Sequence, residues 1–250
     1  MINGKLRIAA VGDLHCPRHS GEVLHSLFVS LPDHADVILL CGDLTDYGKP
    51  DEAALLVQHL QPVLRIPVLA VLGNHDYECG AHEEVQRILK TAGVTVLDGT
   101  GVEIEGVGFA GVKGFAGGFG DRALQPWGEQ VLKDFVHETV NEALKLESAL
   151  AKMQTPDRIV LMHYAPIFQT VDGEPAEIVP FLGSSRLEEP LNRYAVTAVF
   201  HGHAHHGTPE GRTRDGVPVY NVAMPLLRRA FPDRQPVRFF EVDARREINT

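Results

Sequence analysis

A chain of 250 residues, 44 % hydrophobic and 22 % charged, holds enough apolar material for one sizeable core, and no run of about 18 apolar residues could span a bilayer. Its formal charge of −10 argues against gripping nucleic acid along its backbone or lying on an anionic membrane surface. Three cysteines (Cys16, Cys41 and Cys79) with no CxxC pair argue against a disulfide framework and fit the reducing cytoplasm, each read as a small hydrophobe.

The N-terminus, MINGKLRIAAVGDLH, lacks the apolar centre and cleavage site of a secretory leader, and residues 1–250 read as one domain. A theme then recurs along the chain: a short apolar run that stops at a polar motif. KLRIAAV runs into Gly12-Asp13-Leu14-His15. A helical pattern follows over 21–31, and DVILLC then runs into Gly42-Asp43 and Asp46. After a second helix over 51–60, IPVLAVL runs into Gly73-Asn74-His75-Asp76. A third helix covers 81–93, with Gly93 as its C-terminal stop. VTVLDG and VEIEGVGFAGV alternate in the manner of hairpin or mixed-sheet strands, and a long amphipathic helix covers 129–153. RIVLM runs into His163, and AVTAVF runs into His201-Gly202-His203-Ala204-His205-His206. VPVYNVAM and VRFFEVDA read as further strands, and LLRRAFPDRQPVR between them as a solvated basic edge.

The five runs rich in Val, Ile and Leu are the pattern of strands buried on both faces. Their alternation with helices predicts an α/β architecture, and the second strand type predicts more than one sheet. Ligands of open α/β sheets bind beyond the carboxyl ends of the strands, where all five runs deliver Asp, Asn or His.

In Asp13-Leu14-His15, two potential ligands two residues apart share a face at a strand end. His201-Gly202-His203 and His203-Ala204-His205 both offer such a spacing. Glycine directly precedes Asp13, Asp43 and Asn74, and Gly202-His203 continues that habit, which selects His203 and His205. His201 is then a strand-end residue and His206 an exposed loop residue. The set of Asp13, His15, Asp43, Asn74, His163, His203 and His205 is too large for one tetrahedral zinc and too rich in nitrogen for calcium or magnesium. Mixed N and O donors suit two divalent or trivalent transition-metal ions (Mn, Fe, Zn or Co), with the two oxygens of Asp43 as the bridge. Such a centre stays cationic, attracts phosphate and activates water, so no Ser or Cys nucleophile is needed.

Asp13-x-His15, Gly42-Asp43-x-x-Asp46, Gly73-Asn74-His75-Asp76, a lone His163 after a strand and Gly202-His203-x-His205 together resemble the calcineurin-like metallophosphoesterases. The resemblance runs from 13 to 205 in the family's order. It implies a two-sheet β-sandwich flanked by helices (α/β/β/α). It implies one metal on Asp13, His15, Asp43 and His205, and another on Asp43, Asn74, His163 and His203. It also implies attack by a metal-bridging hydroxide on a small phosphoester, with His75 beside the phosphate, oriented by Asp46, and with Asp76 supporting a ligand. Tyr47-Gly48 rather than Arg follows Asp46, a departure from the protein-phosphatase subset. The motifs look closer to the cyclic-nucleotide and glycerophosphodiester phosphodiesterase branch, with a phosphomonoesterase as the alternative and a non-catalytic scaffold as a further one. The glycine-rich 111–128 segment carries Phe115, Phe119 and Trp127, too apolar for a plain linker. It is expected to border the site, with Phe119 or Arg122 touching substrate, or to be a packed surface loop. Tyr164 is expected to contact substrate or to pack.

Overall fold

A computed structural model describes residues 4–16 and 21–243. The first three residues, read above for a leader, and Ala244, at the end of the last expected strand, lie outside them.

In chain order, β1 (Lys5–Val11), α1 (Gly21–Val29), α2 (Leu31–His34), β2 (Val37–Cys41), α3 (Pro50–Leu60), β3 (Val68–Val71), α4 (His82–Thr91) and β4 (Thr95–Val96) form the first half. The second half holds β5 (Thr100–Ile104), β6 (Val107–Gly111), α5 (Gln130–Ala151), β7 (Asp157–Leu161), α6 (Glu188–Arg193), β8 (Ala198–His201), β9 (Glu210–Arg212), β10 (Pro218–Asn221), α7 (Met224–Ala230) and β11 (Arg238–Asp243). They build two sheets, ordered β11-β1-β2-β3-β4 and β5-β6-β7-β8-β10-β9. The five apolar runs are β1, β2, β3, β7 and β8. Within each sheet these neighbours pair parallel, so their carboxyl ends share an edge.

Alternation along each strand separates three layers of core. Leu6, Ile8, Leu39 and Val71 face Phe109, Ile159, Leu161 and Phe200 between the sheets. Ala9, Val11, Ile38, Leu40 and Ala70 pack outward on Leu24, Phe28, Leu56 and Leu89 of the helices. Val160, Val199 and Val219 pack on the other side against Leu146, Leu150 and Leu191. Burying such side chains contributes roughly 1.5–3 kcal/mol each, so both faces of both sheets hold the sandwich together. The expected α/β/β/α layering is the observed one.

Local chemistry explains where the elements depart from the pattern. The helix expected over 21–31 stops at Val29, and Pro32 sits in the first turn of a new single-turn helix, where its missing N–H costs nothing. Gly93 lies just past α4 with φ +97°, the left-handed stop its position required. VTVLDG supplies only the two-residue β4, which pairs parallel with β3. VEIEGVGFAGV spans the turn of the β5–β6 hairpin, where Glu105 and Gly106 both have positive φ, a turn whose twist matches the strands. LLRRAFPDRQPVR is not wholly a solvated edge: its two leucines, Leu226 and Leu227, are buried in α7, while Arg228 and Arg229 are exposed.

Candidate metal centre

The carboxyl ends of β1, β2, β3, β7 and β8 converge where the two sheets meet. Gly12 N donates to Val222 O at 2.9 Å, and Val222 N to His201 O at 2.7 Å, stitching β1 to the second sheet beside the motifs. Asp13 N donates to Gly42 O and His15 N to Asp43 O, both at 2.9 Å, which locks the loops after β1 and β2 together.

All seven expected ligands lie in this one place. Three overlapping groups bring their ligand atoms within 4.8 Å of one another: Asp13, His15 and His205; His15, Asp43 and His75; Asp43, His163 and His203. His15 and Asp43 therefore link two ends of one elongated cluster. At one end His205 Nε2 is 2.9 Å from Asp13 Oδ1. At the other, His163 Nε2 is 2.9 Å from Asn74 Oδ1 and 3.4 Å from Asp43 Oδ1. Between them His15 Nε2 is buried without a hydrogen-bond partner, 3.7 Å from Asp43 Oδ2.

Four residues of the cluster are held in the left-handed region: Asp13 (φ 56°), His15 (40°), Asp43 (46°) and His203 (71°). Only two other non-glycine residues with positive φ are described, so strain of roughly 1–3 kcal/mol per residue is concentrated here. The glycines before the ligands serve close approach. A Cβ on Gly73 would stand 2.1 Å from Asp43 Oδ1, and one on Gly202 2.3 Å from Asp13 Oδ2.

Backbone carbonyls fix which nitrogen of several imidazoles carries the proton, because a carbonyl can only accept. His163 Nδ1 faces Cys41 O at 3.1 Å, so Nε2 turns its lone pair to Asn74 and Asp43. His203 Nε2 faces Phe181 O at 3.3 Å, leaving Nδ1 for the cluster. His75 Nδ1 faces Asp46 O at 2.7 Å, leaving Nε2 unengaged by that contact.

Electrostatics favours neutral imidazoles. Burial pushes His163 well below its ordinary pKa and His203 down to about 3, and it lowers His15 against the pull of Asp13. Burial together with the nearby Asp13 charge pushes Asp43 well above the carboxylate range. A carboxylate buried beside another among neutral imidazoles is a place that a cation would stabilise. His205 is raised by its bond to Asp13. The donor set, the partnerless His15 nitrogen and the buried Asp43 between the two ends of the cluster all fit two metal ions.

The supporting residues differ in detail from the expectation. Asp46 does not orient His75 through its carboxylate. That group is 3.3 Å from His15 Nδ1, and the Asp46 carbonyl faces His75 instead. The backbone turn after β2 points the two ends of Asp46 at different imidazoles. Asp76 is fully buried and accepts from the backbone N–H groups of Leu44, Thr45 and Gly73 and from the Thr45 hydroxyl. It thus supports the loops that carry Asp43 and Asn74, and touches no ligand side chain. His201 is buried between Thr170 Oγ1 and Gly202 O, both at 2.8 Å, and His206 is exposed. Cys16 and Cys41 are buried, but Cys79 is exposed, with its thiol donating to Gly48 O, because it lies on the loop after the His75 turn rather than in a strand. Tyr164 is buried, its ring 4.5 Å from that of His203.

The 111–128 segment is pinned rather than free. Gly117 N donates to Pro180 O, Gly118 N to Gly183 O and Ser185 N to Gly118 O. Phe119 is half-buried against Phe168, and Arg122 is exposed. Pattern reading missed the 165–185 segment that meets it, because its short 3-10 turns carry no periodicity; Phe168, Ile178 and Phe181 were its only signal. A groove of about 870 Å³ lies elsewhere, along β11, lined by Arg7, Phe231, Arg238 and Phe239 among others.

A sequence profile described as Calcineurin-like phosphoesterase matches residues 6–207. The chain belongs to this family. In calcineurin-like phosphoesterases a binuclear metal centre is implied, and the cluster supplies candidate ligands for it. No curated protein matches the chain. Among solved structures it is similar to the phosphopantetheinyl hydrolase PptH from Mycobacterium tuberculosis (TM-score 0.65, 16 % identity, 96 % of this chain and 97 % of that one). It is also similar to TT1561 of Thermus thermophilus (TM-score 0.54, 16 % identity, 96 % and 99 %). A third is the purple acid phosphatase PPD1 from yellow lupin (Lupinus luteus) seeds (TM-score 0.54, 14 % identity, 80 % and 38 %). At these identities the likeness is one of fold. Among the described residues, no helix is long and apolar enough to cross a membrane.

Proposed function

We propose that this calcineurin-like phosphoesterase is a binuclear metal-dependent hydrolase of a small phosphodiester, working in the cytoplasm. The observation that carries the proposal is the overlap of the three ligand groups at His15 and Asp43. One ion, of Mn, Fe, Zn or Co, is assigned to Asp13, His15, Asp43 and His205, and the other to Asp43, Asn74, His163 and His203. When bound, the pair supplies a hydroxide nucleophile from water at neutral pH and Lewis acidity for the phosphoryl oxygens.

The chain's own groups do the rest. Asp43 lies between the two ligand sets and accepts the His75 backbone N–H on Oδ1 at 2.9 Å, which fixes the carboxylate and the His75 turn together. His75 keeps its Nδ1 proton on Asp46 O, so Nε2 is the atom that meets substrate and passes a proton to or from the leaving oxygen. The Asp46 carboxylate orients His15. A scaffold that had lost the reaction would lack ligands, and none of the seven is missing.

A phosphodiester carries one negative charge and a monoester two at neutral pH, and no arginine follows Asp46 to neutralise the second. The observation favouring a phosphomonoester is Lys113, whose ammonium lies 5.3 Å from the Tyr164 ring, one ring away from His203. The names of structural relatives, a phosphopantetheinyl hydrolase and an acid phosphatase, put phosphoester chemistry on this fold. The free cysteines support a reducing compartment, and the net charge of −10 supports a small substrate over nucleic acid. The test is hydrolysis of a bis-aryl against a mono-aryl phosphate with each metal. The diester is expected to be the better substrate, and Asn74→Ala and His203→Ala are expected to abolish its turnover. Near-normal activity of either variant contradicts the assignment.

A further inference from the structure

Exposed apolar side chains gather on a segment that reaches the metal cluster. Among the described residues ten large hydrophobics stand well exposed, and three of them, Phe168 (49 %), Ile178 (41 %) and Phe181 (55 %), fall within 14 residues of one another. An isolated exposed hydrophobe needs no explanation, but three on one short segment that reaches the metal cluster call for one. Phe181 is continuous with the cluster, since its carbonyl accepts from His203 Nε2 at 3.3 Å. Phe119 joins the set: its ring meets that of Phe168 at 6.1 Å, and it packs against the small buried cluster of Ala165, Val171, Leu182 and Ala204, the last of which lies between His203 and His205.

The two segments that carry these rings are stitched together by the backbone bonds from Gly117, Gly118 and Ser185 described above, at 2.9, 2.9 and 3.1 Å. The surface is therefore formed before any ligand arrives, which lowers the ordering cost of binding. Its charge is selective too. Residues 165–185 contain Asp172, Glu174 and Glu177 and no Lys or Arg. This segment therefore offers no cation to a second anionic group on the substrate and leaves an uncharged arm unopposed, the cations Lys113 and Arg122 belonging to the 111–128 segment.

We infer that Phe119, Phe168, Ile178 and Phe181 form the wall that selects substrate, by taking an uncharged aromatic or aliphatic arm attached to the phosphorus whose oxygens the metal cluster holds. This inference rests on the phosphoesterase reading and adds to it the substrate class: an organic phosphoester with one apolar arm, rather than one bearing a polyphosphate or a further anion. The wall touches the arm, not the reacting atoms, so these are specificity residues.

The experiment compares two inert probes with the same head group, phenylphosphonate and methylphosphonate, bound to the metal-loaded protein and measured by calorimetry. The wall predicts that phenylphosphonate binds about tenfold or more tightly than methylphosphonate, the effect of desolvating one ring. In Phe181→Ala and Phe168→Ala the ratio of the two affinities falls toward one, and in Phe181→Trp it is kept. Both substituted rings are half-exposed, so their truncation leaves the core intact, and an unchanged melting temperature checks this. Equal affinities for the two probes in the wild-type protein, or a ratio unaltered in both alanine variants, would overturn the wall while leaving the phosphoesterase reading in place. Binding of neither probe would overturn the wall together with the reading on which it rests.

Discussion

Asp76 holds Thr45 with both ends of one interaction, accepting its backbone N–H at 2.8 Å and its hydroxyl at 2.6 Å on the same carboxylate oxygen. The other oxygen accepts from Gly73 N at 2.8 Å and Leu44 N at 3.2 Å. One fully buried carboxylate therefore ties the loop that presents Asp43 to the loop that presents Asn74. Burial raises its pKa and these four donors oppose the rise. Asp76→Ala is expected to lower stability by roughly 2–4 kcal/mol, since it strands buried donors. Asp76→Asn should cost a comparable amount, because an amide NH₂ would face N–H groups. Denaturant unfolding of both variants checks this; a neutral Asp76→Asn would show that the loops are held another way.

His75 Nδ1 faces the Asp46 carbonyl, so in the proposed reaction Nε2 is the atom left for proton transfer. His75→Gln is expected to lower kcat by roughly 100- to 10,000-fold with metal content unchanged. The loss should be larger for a diester with an alkyl leaving group than for a nitrophenyl one, whose oxygen leaves without a proton. Equal losses on both substrates would assign His75 to charge stabilisation instead.

Gly73 has no room for a side chain: a Cβ would stand 2.1 Å from Asp43 Oδ1 and 2.3 Å from Asp43 N. Gly73→Ala is expected to displace the Asp43 carboxylate and at least halve the metal bound per chain. Elemental analysis after desalting measures it, with circular dichroism as the check on folding.

Acid should destabilise the metal-free protein through its buried imidazoles. His201 is held neutral by burial, which lowers its pKa to about 4. The unfolded chain then takes up a proton at this position below about pH 6.5 while the folded chain does not, so stability falls as pH drops from there toward 4. The melting temperature of the chelator-treated wild type should decline over that window. His201→Asn, once its own loss at pH 7.5 is subtracted, should decline less steeply. Parallel curves would show that His201 does not titrate on unfolding.

Much of this arrangement is legible in the sequence because it is local. Each proposed ligand follows a short run of Val, Ile and Leu, and a strand end in an α/β sheet has one place to present a side chain. Gly42, Gly73 and Gly202 mark the crowding next to Asp43, Asn74 and His203. What stayed hidden depends on backbone direction. Nothing in Gly-Asp-Leu-Thr-Asp says that the carbonyl of Asp46 would turn to His75 and its carboxylate to His15. Nor could spacing show that Asp76 gathers donors from a strand end 32 residues earlier. The short helices α6 and α7 escaped notice because one turn or two gives no period to read. Cys79 misled because residue type alone says nothing about which side of a turn it occupies.

Seven side chains from both sheets are proposed to grip two metal ions linked by Asp43. Anomalous diffraction from a crystal grown with manganese or zinc tests it most directly. Two peaks are expected, one among Asp13, His15, Asp43 and His205 and one among Asp43, Asn74, His163 and His203, with the loss of both in Asp43→Ala. A single peak, or peaks away from these residues, would contradict it.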